Sequence, residues 1–166
     1  MTGPTEPLRG ERAVVLDYLD HYRRTIARQC DGLDPDQLAR RAVPPSTLSL
    51  LGLLRHLAKV EHSWCRRVVE AQPRLPRLFR TDSGPDLDFD GAVADPAVVG
   101  EAWAAWRGEV EHAAAVYAVV PLGQLCPHPD GELEVREVLV HLVEEYARHC
   151  GHADLLRQAV DGTTGL

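Results

Sequence analysis

Residues 138–156 read VLVHLVEEYARHCGHADLL. His141, Glu145, His149 and His152 recur there at steps of four, four and three, so at roughly 100° per residue they share an arc of about 80° on one helix face. Val138, Leu142, Leu155 and Leu156 lie on the same arc, which places titratable groups where a buried stripe belongs. Burying such groups without partners is costly, and a metal ion is the simplest common partner.

The rest of the chain reads as a frame for that face. Val14, Val15, Tyr18, Tyr22 and Ile26 mark a first long helix from Glu11 to about Cys30, stopped by Asp31-Gly32. Asp34-Pro35-Asp36 caps a short helix that runs through Arg40. Ser46, Thr47 or Ser49 caps a second long helix with the stripe Leu50, Leu53, Leu54, Leu57, Val60, Trp64 and Val68, ending near Ala71. Residues 72–95 hold Pro73, Pro76 and Pro85 and an acidic patch of Asp82, Asp86, Asp88 and Asp90, without periodicity. A connection longer than about 15 residues crosses over a bundle or covers a site. Asp95-Pro96 opens a third long helix with Val99, Trp103, Trp106, Val110, Ala113 and Tyr117. Residues 121–131 are irregular, and a fourth helix spans about Glu132 to Val160.

No convincing strand alternation is present. The expected fold is all-α: a four-helix bundle with a long crossover between the second and third helices, as one domain over residues 1–166 with 1–10 as a frayed lead-in. A chain of 166 residues can bury a sizeable core. The net charge of −7, with 25 acidic against 18 basic residues, argues against nucleic acid or an anionic membrane as partner. Local arginine clusters at 23–24, 40–41, 66–67 and 74–80 leave a small anionic substrate open. Cys30, Cys65, Cys126 and Cys150 are widely spaced, no signal peptide is recognisable and no apolar run spans a membrane, so a cytoplasmic protein with reduced thiols is expected.

His56, at the edge of the second helix's apolar face, is the natural third contributor to a site. Glu145 and His149, one turn apart, can chelate a single ion, and His56 completes three ligands with positions left open for water or substrate. The same spacing also suits a solvated flank or a His–Glu hydrogen-bonded pair. His141 and His152 ligate directly, hold a ligand in place from behind, or line the pocket, the last two being favoured and leaving them as the candidate catalytic residues. Glu61 is expected to pair with a neighbouring side chain. His21, His112 and His128 read as ordinary surface residues, Trp64, Trp103 and Trp106 as packing residues, and Cys150 as a structural thiol.

The runs SLLGLLRHLAKVEHSWCRRVV and HLVEEYARHCGHADLLRQAVDGTTG resemble the DinB/YfiT-like superfamily, in its actinobacterial branch, over nearly the whole chain. The resemblance implies a four-helix bundle, a homodimer, and a divalent metal held by one histidine of the second helix and two residues four apart on the last. Laid on the family's HxxxHRGQ motif, His56 and His149 match ligand positions. Glu145 stands where histidine is common, and His152 where the family has glutamine. Glutamate is a competent ligand for zinc, the ion expected first, and for nickel or manganese. Some relatives are thiol S-transferases using mycothiol and others are mycothiol-dependent isomerases. The resemblance therefore implies a metal-dependent S-transferase that joins a low-molecular-weight thiol to a small electrophile. The same ligands would serve a metal-dependent hydrolase or isomerase, and a polar stripe without catalysis would suit a stress-related binding dimer.

Overall fold

The structure, a computed structural model, describes residues 10–80, 87–129 and 131–165. The expected lead-in before Gly10 and the acidic residues Asp82 and Asp86 lie outside these. Helices run over α1 (Glu11–Cys30), α2 (Pro35–Ala39), α3 (Leu50–His62), α4 (Leu87–Asp90), α5 (Pro96–Val119) and α6 (Val135–Asp161), with a π-helical segment, Ser63–Val69, continuing α3. The long ones, α1, α3, α5 and α6, form the bundle: α1 packs on α6, α3 on α5, and α3 also meets α6. The all-α, DinB-like architecture read from the sequence is the one found. Among the described residues no helix is long and apolar enough to cross a membrane.

Local chemistry sets the helix starts. Asp34 accepts from the Gln37 amide while the Gln37 side chain accepts from the Asp34 amide, a reciprocal cap. Ser49, among the three expected candidates, caps α3 by accepting from Gly52 N at 3.1 Å. Asp95 caps α5 ahead of Pro96. Glu134 and Glu137 form the reciprocal cap of α6, which stops at Gly162 in the left-handed conformation, φ 81°.

The structure corrects several sequence expectations. Residues 121–131 are not wholly irregular, and the last helix does not begin at Glu132. Strands β1 (Leu125–His128) and β2 (Gly131–Glu134) pair antiparallel, with Leu125 opposite Glu134 and His128 opposite Gly131. Their side chains carry little apolar alternation and only Cys126 is buried, so the ladder is held by its backbone and leaves no periodic signal. The second long helix keeps α geometry only to His62, and the wider turn carries it to Val69. On α1 the buried stripe is Leu19, Arg23, Ile26 and Cys30, whereas Tyr18 is exposed, because the bundle takes in Arg23 as the partner of a buried carboxylate. Leu155 is also exposed: it lies at the edge of the α6 arc farthest from the buried Leu142 and Leu156.

The crossover is pinned to α3. A Cβ on Gly52 would meet the Phe89 ring at 2.8 Å, so glycine permits α4 to sit down on the helix. Arg55 donates from Nε to the Asp88 carbonyl and from NH2 to the Leu87 carbonyl, both at 3.2 Å. This seats Asp88 beside the site.

Candidate metal centre

The bundle brings His56 of α3 against Glu145 and His149 of α6. One donor atom from each of these three lies within 4.8 Å of the others. The Glu145 carboxylate is 3.2 Å from His149 Nε2 and 3.9 Å from His56 Nε2. The two imidazoles stand edge to face, 4.8 Å between centroids. Spacing on one helix and a single histidine on another thus lead to one cluster.

Behind His56 stands a residue that periodicity could not reveal. Asp88 Oδ2 accepts from His56 Nδ1 at 2.9 Å and also meets Lys59 Nζ at 2.5 Å. Asp88 is buried, and although burial opposes its charge, hydrogen bonds from His56 and Lys59 hold its carboxyl well below the usual carboxylate range. The bond fixes the proton on Nδ1, so the Nε2 lone pair of His56 faces Glu145. The ring is further clamped by stacking on Phe89, 5.2 Å between centroids. The sequence holds two traces of it, the acidic patch of the crossover and Gly52 on α3. Neither names a partner 32 residues away.

His149 is buried, and desolvation first, then the neighbouring His56, push its pKa down to about 4, against the opposing pull of Glu145. It is therefore a neutral imidazole at physiological pH, the form that ligates. Its Nδ1 lies 3.3 Å from His152 Nδ1, so His152 meets the cluster from behind. His141 Nε2 is 3.5 Å from the other Glu145 oxygen, the side chain more exposed than those of Glu145 and His149, and its ring packs on Trp64 at 4.5 Å. All four polar residues of the α6 arc therefore meet in one chain of contacts, with His56 added from α3.

A catalytic divalent site takes three nitrogen or oxygen donors, keeps a position open, and backs its histidines with carboxylates. His56, Glu145, His149 and Asp88 meet these requirements, so the residues present fit a divalent ion. Beside them, a cavity of about 370 Å³ is lined by Ser63, Trp64, Arg67, Arg77, Pro127 and His128 among others. Trp64 stands between the two regions, with His128 stacked on it at 5.6 Å and His141 against it. Two further sequence expectations are corrected here. His128 is not an ordinary surface residue but a wall of this cavity, and Trp64 both packs and lines it.

Cys150 is buried, donates to the Tyr22 carbonyl at 3.5 Å, and burial pushes its thiol up to about 12. It is a structural thiol, as its place on α6 suggested. Glu61 does pair with its neighbours, accepting from Nε and Nη2 along one edge of the Arg23 guanidinium at 2.8 and 2.9 Å and from the Tyr146 hydroxyl at 2.8 Å.

The comparisons with known proteins agree with this architecture. A conserved protein of a locus from Enterococcus faecalis, known from its crystal structure, superposes with a TM-score of 0.66 at 13% identity. The match covers 90% of this chain and 96% of that one, and shares the fold. No curated protein matches the chain. The family model described as mycothiol S-transferase matches residues 14–162, from the first turn of α1 to the glycine that stops α6. The chain belongs to the mycothiol S-transferase family.

Proposed function

We propose that this protein is a metal-dependent thiol S-transferase that joins a mycothiol-type thiol to a small electrophile. The observation that carries the reading is the convergence of His56, Glu145 and His149 with Asp88 behind His56, in a chain of this family. These three residues would hold a divalent ion, zinc first among candidates. When bound, such an ion lowers the pKa of a thiol, so that a thiolate is available at neutral pH.

The chain's own groups supply the rest. Asp88 keeps the His56 lone pair aimed at Glu145 and contributes negative charge from a buried position. His152 positions His149 through their Nδ1 contact. His141, half-exposed between Glu145 and Trp64, is set to accept the thiol proton and pass it to solvent. The cavity beyond Trp64 offers an aromatic wall and two guanidinium groups to the body of a substrate. Its volume suits a small molecule rather than a polymer.

The test is product analysis by mass spectrometry with a soft alkylating electrophile, with and without mycothiol. Metal content is measured on the same tag-free protein. A thioether adduct is expected only with thiol, and it is lost with the bound metal on chelation and in His56→Ala and His149→Ala. Turnover of the electrophile to a water adduct without thiol would replace transfer by hydrolysis. Full activity in metal-free protein would overturn the reading.

A further inference from the structure

The widened turn after α3 has a consequence away from the His56 centre. In an α-helix, residues five apart diverge by about 140°. Here the Glu70 amide bonds to the Cys65 carbonyl at 2.9 Å, the five-residue spacing of a π-turn, which brings these two residues toward one face. From α5, His112 completes the group: its Nε2 is 2.8 Å from Glu70 Oε2, and single donor atoms of Cys65, Glu70 and His112 all lie within 4.8 Å of one another. This corrects the expectation that His112 is an ordinary surface residue. Among the described residues it is the one other convergence of histidine, cysteine and carboxylate at metal-binding distance.

We propose that Cys65, Glu70 and His112 form a second cation site, selective for a thiophilic divalent ion of the zinc class, that joins the π-turn to α5. A half-exposed Glu–His pair alone needs no ion, and a buried cysteine alone is only a small apolar side chain. Their combination differs because the Cys65 sulfur, fully buried, forms the floor beneath a pair that solvent reaches. A second observation points the same way. The Tyr117 hydroxyl, wholly buried, lies within hydrogen-bonding reach of the Cys65 thiol. That hydroxyl favours the thiolate form of Cys65, the form that binds a cation, against the burial that opposes it.

The donor chemistry fixes the class of ion. One sulfur, one imidazole nitrogen and one carboxylate oxygen suit zinc or cobalt, and disfavour magnesium or calcium, which take oxygen. On binding, the Cys65 S–H bond breaks, its proton leaves to solvent, and a sulfur–metal bond forms, while Glu70 ligates through a carboxylate oxygen and His112 through a ring nitrogen. Tetrahedral donors about 2.1 Å from zinc stand about 3.4 Å apart, so the Glu70–His112 pair opens by roughly half an ångström. Both side chains are partly exposed and free to do so.

The two centres are spectroscopically distinct, because the His56 centre has no sulfur donor. The experiment is anaerobic titration of metal-free protein with cobalt(II), reading thiolate-to-cobalt charge transfer in the near ultraviolet alongside the bound stoichiometry. The parent is expected to bind two equivalents, one of them with the thiolate band. His149→Ala, which acts on the other centre, keeps the band. Cys65→Ser abolishes it and binds one equivalent fewer. Because Cys65 is in the core, His112→Gln is the companion variant, expected to keep the helical circular dichroism and weaken cobalt binding in the thiolate band at least tenfold. No thiolate band in the parent at saturating cobalt, a band that persists in folded Cys65→Ser, or unchanged affinity in His112→Gln overturns the site. None of these outcomes depends on the transfer reaction.

Discussion

Glu145 and Tyr146 are neighbours on α6, yet they serve two polar regions built on opposite principles. Tyr146 belongs to a closed group. Trp106 Nε1 donates to its hydroxyl at 3.0 Å, the hydroxyl donates to Glu61, and Glu61 accepts from Nε and Nη2 of Arg23, whose Nη1 donates to Asp20. Every bundle helix contributes, α1 with two residues, and the donors and acceptors match. Glu145 belongs to an open group, in which a carboxylate and two imidazoles converge and the only protons to share are those of the rings. A core that saturates its own polar atoms is a fastening, whereas one that leaves lone pairs converging is a receptacle. The same helix, turned by about 100°, provides both.

The comparison is sharpest where it can be broken. Replacing Glu61 by Ala strands the Arg23 charge in the core and is expected to cost about 3–5 kcal/mol in chemical denaturation, whether or not chelator is present. A loss below about 1 kcal/mol would mean that the group is not a fastening. Tyr146→Phe removes the link between Trp106 and Glu61 and leaves the indole N–H unmatched, for about 1–3 kcal/mol by the same measurement. At the receptacle the effect moves from stability to affinity. Asp88→Asn keeps the shape but weakens the grip on the His56 proton, and metal binding measured by competition with a chelator is expected to fall about 10–100-fold, or about 1.4–2.7 kcal/mol. Unchanged affinity would remove Asp88 from the site.

The last effect is a slope. His149 has a folded pKa of about 4 against an ordinary value of 6.5, so between these values the unfolded chain holds a proton that the folded chain does not. Stability of the metal-stripped protein therefore rises with pH across that window, and falls on acidification from about 6.5 until it levels near 4. The contribution is at most about 1.4 kcal/mol per pH unit. Thermal melts across this range, repeated on His149→Asn, should show a flatter curve in the variant. Parallel curves would return the slope to other groups.

How much of this was legible follows from where each signal is stored. The long helices are written in their apolar spacing and their caps, and His149 and Glu145 are separated by one helical turn, so periodicity alone pairs them. His56 needed only the face of a second helix. Asp88 was out of reach because its position depends on the absence of a side chain at Gly52 and on the Arg55 bonds that draw α4 down. The Cys65–Glu70 pairing was hidden for a different reason: its five-residue step is off-face in any α-helical projection, and only the π-turn brings the two together. The β1–β2 ladder rests on backbone bonds, which side-chain patterns do not record. Tyr18 and Arg23 mislead in opposite directions, since an aromatic ring faces solvent while a guanidinium is taken into the core by Glu61.

Trp64 lies between His128, nearly parallel to it, and His141, tilted against it, whereas Trp103 and Trp106 sit together on α5 at 5.7 Å. Trp64 therefore touches both regions, one flanking ring standing in the wall of the cavity and the other beside Glu145. With Trp103 and Trp106 replaced by Phe, Trp64 is the one indole left in the chain, an optical probe seated in the wall of its own pocket.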